Sequence, residues 1–274
     1  MIELLKALML GIVQGITEWL PVSSTGHLLL IDELVQLQIS PACKELFMVI
    51  IQLASILAVI LLYFSTLNPF SGLKDTIEKR KTWILWAKVL VATIPAGIAG
   101  VLLNDYMDTY LYKWQVIVVA LASYGLVYIL LEKKGRGRRP PRVKSLDAIS
   151  YVDAAKMGAF QMLAIVPGTS RSGSTILGGI ICGIDRPIAA QFSFFMAIPI
   201  MVGASLLKLL KIGFAFTAAE YAILAVGFVT SFIVSLFCIK AMVSYVRNHD
   251  FSIFGFYRIA LALVVTVFFL TTRS

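Results

Sequence analysis

Residues 14–30 read QGITEWLPVSSTGHLLL, and the architecture turns on how this stretch folds. The apolar run ahead of it, residues 4–20, could begin a membrane helix, but Gln14, Thr17 and Glu18 interrupt it. Pro21 then ends it, since proline lacks an N–H and its ring collides with the preceding turn. A hydroxyl run, Ser23, Ser24 and Thr25, leads through Gly26 and His27 into a second apolar segment. The opening stretch has neither a basic flank nor a small-residue cleavage site, so it is expected to stay in the mature chain rather than act as a leader.

The remainder of the chain explains why such a break matters. Of 274 residues, 59% are hydrophobic and 14% charged, a composition outside that of soluble domains. Apolar runs at 47–64, 83–103, 114–131, 192–210, 221–239 and 254–270 each approach the roughly 20 residues that cross a bilayer as a helix, which gives six spans. The formal charge of +9 is concentrated in loops, with Lys74, Lys79, Arg80 and Lys81 in one and Lys133, Lys134, Arg136, Arg138, Arg139, Arg142 and Lys144 in another. No aromatic residue interleaves with these runs, so they read as cytoplasmic loops and not as a nucleic-acid surface. Residues 104–113, NDYMDTYLYK, then form an outside turn. Cys43, Cys182 and Cys238 show no metal-ligand or disulfide spacing and read as packing residues.

The broken segment has a counterpart. Gly11, Gln14 and Gly26 recur 147 positions later as Gly158, Gln161 and Gly173, Ser23 meets Ser170, and Phe47 meets Phe194. Each half therefore holds one interrupted segment followed by three spans, and an odd number of spans makes the second half enter from the opposite face. Irregular backbone at membrane depth survives only where protein or a wet cavity satisfies it. The expected fold is an all-α polytopic membrane protein with six transmembrane helices and two re-entrant helical hairpins, at 4–37 and 154–184, in an inverted-topology repeat. It forms one integral domain over 1–274, with a first repeat at 1–131, a basic cytoplasmic loop at 132–147 and a second repeat at 148–274.

The second break, PGTSRSGST at residues 167–175, carries Arg171, a charge that is costly in an apolar setting unless it has a function or a partner. Hydroxyls that only pack membrane helices account for the serines and threonines but not for Arg171. A guanidinium beside Ser170, Ser172, Gly173 and Thr175 at a helix start makes an oxyanion cradle, above all for phosphate. On the first break, Glu18 lies one helical turn after Gln14 and can serve as base, acid or metal ligand. Ser24 is a candidate nucleophile, and His27 a candidate proton carrier or alternative nucleophile. The two tips together suggest phosphoryl transfer on a lipid phosphate that arrives from the bilayer.

With these elements in view, QGITE, PVSSTGH and PGTSRSGST, the sequence resembles the undecaprenyl-diphosphate phosphatases associated with bacitracin resistance, over nearly its whole length. The resemblance implies hydrolysis of undecaprenyl diphosphate to undecaprenyl phosphate and inorganic phosphate, recycling the carrier lipid for peptidoglycan synthesis. It also implies a plasma-membrane location with the site open to the outer face, and a divalent cation, Mg2+ or Ca2+. Glu18, Ser24, His27, Ser170, Arg171 and Thr175 match the family's functional positions. Gln14 stands where some members have Glu, so a cation is expected to bind chiefly through Glu18 and the diphosphate, with Gln14 as a further candidate ligand.

The expected partners are a polyprenyl diphosphate and the bilayer, with no nucleic acid; oligomeric state, a homodimer included, is left open at this level. A second class of lipid phosphatase needs two histidines in separate motifs, and the only other one here, His249 in RNHDFS, has no motif around it. The alternative from another functional class is a lipid-phosphate transporter or flippase with the same anion site, which would need the cradle but no nucleophile.

Overall fold

The computed structural model describes residues 1–133, 140–213 and 215–272. Among them the chain is helical throughout, without a β-sheet. The first half runs α1 (Ile2–Thr17), α2 (Ser24–Val35), α3 (Pro41–Leu62), the single turn α4 (Phe64–Leu67), α5 (Thr76–Tyr106) and α6 (Trp114–Lys133). The second runs α7 (Tyr151–Leu163), α8 (Arg171–Ile181), α9 (Arg186–Ile212), α10 (Ala218–Asn248) and α11 (Ser252–Thr272). Six of these helices, α3, α5, α6, α9, α10 and α11, are long and apolar enough to cross a membrane.

All of the spans but α6 begin earlier than their apolar runs, and at α3 and α10 local caps set the start. Ser40 accepts from the Cys43 N–H with Pro41 in the first turn, and Thr217 and Glu220 close a reciprocal capping box on α10. Residues 104–113 are not the simple turn read from the sequence: α5 continues to Tyr106 and ends in one π-helical turn, Met107–Leu111, closed by Tyr112 N–H on the Met107 carbonyl at 3.0 Å. Of the basic loop, Lys134, Arg136, Arg138 and Arg139 lie outside the described residues. Its far end is anchored, with Arg142 N–H on the Gly183 carbonyl and the Arg142 guanidinium on Asp153.

Both interrupted segments take the expected helix–break–helix form, α1 with α2 and α7 with α8. Their breaks match in detail. Ser23 and Ser170, 147 positions apart, are the residues before α2 and α8; both have positive φ, 74° and 69°, and both accept from a glycine N–H three residues on, Gly26 and Gly173. The two halves also exchange packing partners, since α1 lies on α10 of the second half while α7 lies on α5 of the first.

Close crossings at small residues hold the helices together. Where α6 crosses α11, a Cβ on Gly125 would stand 2.8 Å from the Gly255 carbonyl oxygen, and one on Gly255 would stand 2.7 Å from that of Gly125. Gly125→Val is therefore expected to destabilise the protein by about 1–3 kcal/mol through overpacking. Thermal unfolding in detergent reads this directly: Tm should fall for Gly125→Val and hold for Gly97→Val, whose Cβ would meet nothing within 4 Å. Equal melting of the two variants contradicts the close crossing.

Candidate active site

Glu18 ends α1 and joins the two breaks. Its Oε1 accepts from Arg171 Nη2 at 2.9 Å, and its Oε2 accepts from Ser24 Oγ at 3.0 Å and from Gln14 Nε2 at 3.1 Å. Residues 18 and 171 are 153 positions apart in the chain and meet where the two breaks come together. Both side chains of the pair are close to nine-tenths buried, so each needs the other's charge together with further hydrogen bonds. Arg171 supplies its own, donating through Nη1 to the Ser193 carbonyl at 3.0 Å and lying 5.5 Å from the Trp19 ring centroid.

A cavity of 290 Å³ opens against this pair. Its polar wall comprises Glu18, Ser24, Thr25, Gln52, Gln161, Ser170, Arg171 and Ser172, and its apolar wall includes Ala96, Ile165, Ile200 and Met201. Of the residues read from the sequence, Glu18, Ser24, Ser170, Arg171 and Ser172 thus share one chamber. The others do not face it. The Thr175 hydroxyl lies 2.6 Å from that of Ser193 and 2.8 Å from the Arg171 carbonyl, and so braces the first turn of α8. Gly173 faces Arg258, whose Nη1 would stand 3.3 Å from an added Cβ.

His27 is set apart from Ser24. One ring nitrogen lies 2.7 Å from the Ser23 carbonyl and the other 2.7 Å from the Tyr257 hydroxyl, while the ring stacks on Tyr257. With both nitrogens engaged, the imidazole ties the strained Ser23 turn to α11. The sequence expectation of Ser24 and His27 as partners is not met, because Ser23 and Tyr257 take the two ring nitrogens. The Ser24 proton instead meets a carboxylate. His249 is exposed at the end of α10 and stacks on Tyr245.

The sequence reading passed over Arg258. It is completely buried in α11 and donates to four carbonyls: Nη1 to Pro21 at 3.1 Å, Nη2 to Gly168 at 2.7 Å and Thr169 at 3.1 Å, and Nε to Leu121 at 3.5 Å. Pro21 belongs to the first break and Gly168 and Thr169 to the second, so one guanidinium fastens both. The signal was available, since an ionised residue within the apolar run 254–270 falls under the same rule that singled out Arg171. Tyr128, which donates to the Gly173 carbonyl at 2.7 Å, offered no such signal.

The model of the family described as bacitracin resistance protein BacA matches residues 7–264. The chain belongs to that family. It is 49% identical over 270 residues to a protein of Desulfitobacterium hafniense named undecaprenyl-diphosphatase, covering 98% of this chain and 97% of the other. It is likewise 49% identical over 269 residues to undecaprenyl-diphosphatase 1 of Clostridioides difficile, with 98% and 97% coverage, and 47% identical over the full length of both chains to the undecaprenyl-diphosphatase of Acetivibrio thermocellus. With its six apolar helices, this BacA-family protein is a multi-pass protein of the bacterial cell membrane.

Arg258→Met would orphan carbonyls in both breaks, at about 1–3 kcal/mol for each acceptor left buried and unpaired. Arg258→Lys would restore the charge but not the planar fork that reaches them. Both variants are expected to bind inorganic phosphate at least tenfold more weakly than wild type in calorimetric titration, with Arg258→Met also melting lower. Unchanged phosphate affinity in a well-folded Arg258→Lys would show that the fork does not set the spacing of the two tips.

Proposed function

We propose that this chain hydrolyses undecaprenyl diphosphate to undecaprenyl phosphate and inorganic phosphate, and that the reaction takes place in the cavity between the two breaks. The observation that carries this reading is the Glu18 carboxylate, which holds the Ser24 hydroxyl on one oxygen and the Arg171 guanidinium on the other. A nucleophile with its base, next to an anion-binding cation, is the minimal set for covalent phosphoryl transfer. The names of the full-length relatives support the substrate, and the apolar wall of the cavity suits the first isoprene units of a lipid tail.

In this scheme Arg171 leaves Glu18 Oε1 for the terminal phosphoryl oxygens, aided by the Ser170 hydroxyl and the N-terminus of α8. That exchange frees Glu18 to take the Ser24 proton as Oγ bonds to the terminal phosphorus and the lipid monophosphate departs. His27 acts as a positioning residue through Ser23 and Tyr257.

Among the described residues no group of three His, Cys, Asp or Glu side chains could hold a metal ion. The Glu18 carboxylate on the chamber wall nevertheless fits a cation delivered with the diphosphate. Glu18 would hold it, with the Gln14 amide behind that carboxylate as its hydrogen-bond partner, and it would supply neutralisation of the phosphate charge. Completing the proposal, the broken segments are re-entrant hairpins of an inverted-topology repeat, with repeats at 1–131 and 148–274 flanking a cytoplasmic loop at 132–147, and the site opens toward the outer face. Dephosphorylating the carrier there returns it to peptidoglycan synthesis and underlies bacitracin resistance.

Purified protein is expected to release inorganic phosphate from a polyprenyl diphosphate, and Ser24→Ala to lower that release by about 10³-fold or more. His27→Ala should slow turnover while still forming an acid-stable phosphoenzyme. Wild-type turnover in Ser24→Ala, or label that is lost in acid as from a phosphohistidine, overturns Ser24 as nucleophile. A wild type that binds the lipid and releases no phosphate points to transport instead.

A further inference from the structure

Gln161 stands on the wall of the cavity, on the last turn of α7, and is buried to within 2% of its surface. Its amide nitrogen donates to the Ala92 carbonyl of α5 at 3.3 Å, whereas its Oε1, equally buried, accepts from no described residue. The orientation of the amide is determined chemically, since turning it over would set Oε1 against the Ala92 carbonyl oxygen, two acceptors face to face. A lone buried acceptor thus belongs to a residue that lines a chamber meant for a diphosphate, which itself presents acceptors. Such an oxygen needs a donor between itself and the substrate.

Hydrolysis requires one donor that the protein cannot supply, the water molecule itself; Ala96, Ile165 and Ile200 offer it nothing, and among the described residues that line the chamber only Gln161 carries a buried, unpaired side-chain oxygen. We infer that Gln161 Oε1 seats the hydrolytic water of the second half-reaction; this rests on the phosphatase reading above. Water, with one proton on Gln161 Oε1, turns its lone pair to the phosphorus carried on Ser24. Its oxygen bonds to phosphorus and the Ser24 Oγ–P bond breaks. Glu18, protonated in the first half, returns its proton to Ser24 Oγ and takes one from the water, which it then releases to solvent so that the carboxylate is restored, and the other water proton stays on the released hydrogen phosphate. Gln14, the repeat counterpart of Gln161, does not line the chamber, so the two amides have different tasks.

Gln161→Met keeps the length and removes the acceptor. It is expected to lower kcat roughly 10- to 100-fold, to lower KM in parallel so that kcat/KM stays within about twofold, to accumulate acid-stable phosphoserine at Ser24, and to lose 18O exchange between phosphate and water. Gln161→Asn, which retracts the amide by one methylene, carries the same readouts with a smaller defect if Gln161→Met does not fold. Wild-type exchange without phosphoserine accumulation overturns the inference. So does a raised KM at unchanged kcat, which would make Gln161 a substrate contact, or a shifted divalent-cation requirement at unchanged kcat, which would make it a cation ligand. If wild type itself forms no phosphoserine and releases no phosphate, the phosphatase reading has failed instead.

Discussion

Two helices that stop inside an apolar protein leave carbonyl groups that no helix and little water can satisfy, and Arg258 meets this constraint for both. Its guanidinium reaches Pro21 in one break and Gly168 and Thr169 in the other, and Ser172 adds to the link by donating to the Glu18 and Leu20 carbonyls. The spacing of Glu18 and Arg171 follows, because each lies within three residues of a carbonyl that Arg258 holds. Around this fork, Tyr128 fixes the Gly173 carbonyl and the Arg258 guanidinium lies 5.4 Å from the Tyr124 ring centroid, so the charge is surrounded by dipoles and an aromatic face. Gly168 is required for the same compactness: its φ is +93°, and a Cβ there would stand 2.7 Å from the Ile117 carbonyl oxygen.

Arg258 and Arg171 are therefore cations of different kinds. Arg258 is saturated by backbone and has no carboxylate to exchange, which suits a fastener. Arg171 is paired to one carboxylate at the edge of a cavity, and an incoming phosphate can replace that carboxylate without leaving the guanidinium unpaired. In the proposed reaction the same exchange leaves the Glu18 side chain with only the Ser24 hydroxyl and the Gln14 amide, so binding the anion and arming the base become one event. The positive φ of Ser23 and Ser170, each worth about 1–3 kcal/mol of backbone strain, is sustained by the caps that follow and, on the first break, by His27.

The six spans were legible in the sequence because hydropathy over some 20 residues integrates many weak preferences, and the breaks because Pro21, Pro167 and the hydroxyl runs are strong local signals. Glu18, Ser24 and Arg171 stood out as polar chemistry in an apolar setting. What linear reading could not supply was long-range pairing. His27 and Ser24 are close in sequence and point to different partners, while Glu18 and Arg171 are far apart and touch. Arg258 was overlooked because a single charge in the last apolar run does not prevent that run from reading as a span. Gln161 was noted only as a repeat identity, since its importance lies in an unpaired oxygen, and pairing is a property of the fold.

The matching geometry of the two breaks also bears on how the proposed site divides its two tasks. Ser24 and Arg171 are separated by the same 147 positions as Ser23 and Ser170, and each is the first residue of the helix that follows its break. The two positions share a strained serine before them, a glycine two residues on and the positive end of a helix. With backbone so closely matched, the difference between attack and anion binding resides in the side chain alone: a short hydroxyl that stays beside Glu18, and a long guanidinium that crosses to it. The helix N-terminus favours negative charge at both, stabilising a phosphoryl group that one tip holds while the other bonds to it. A site of this kind works only if the tips face each other at a fixed distance, and this places the burden of the architecture on Arg258, the fork that spans them.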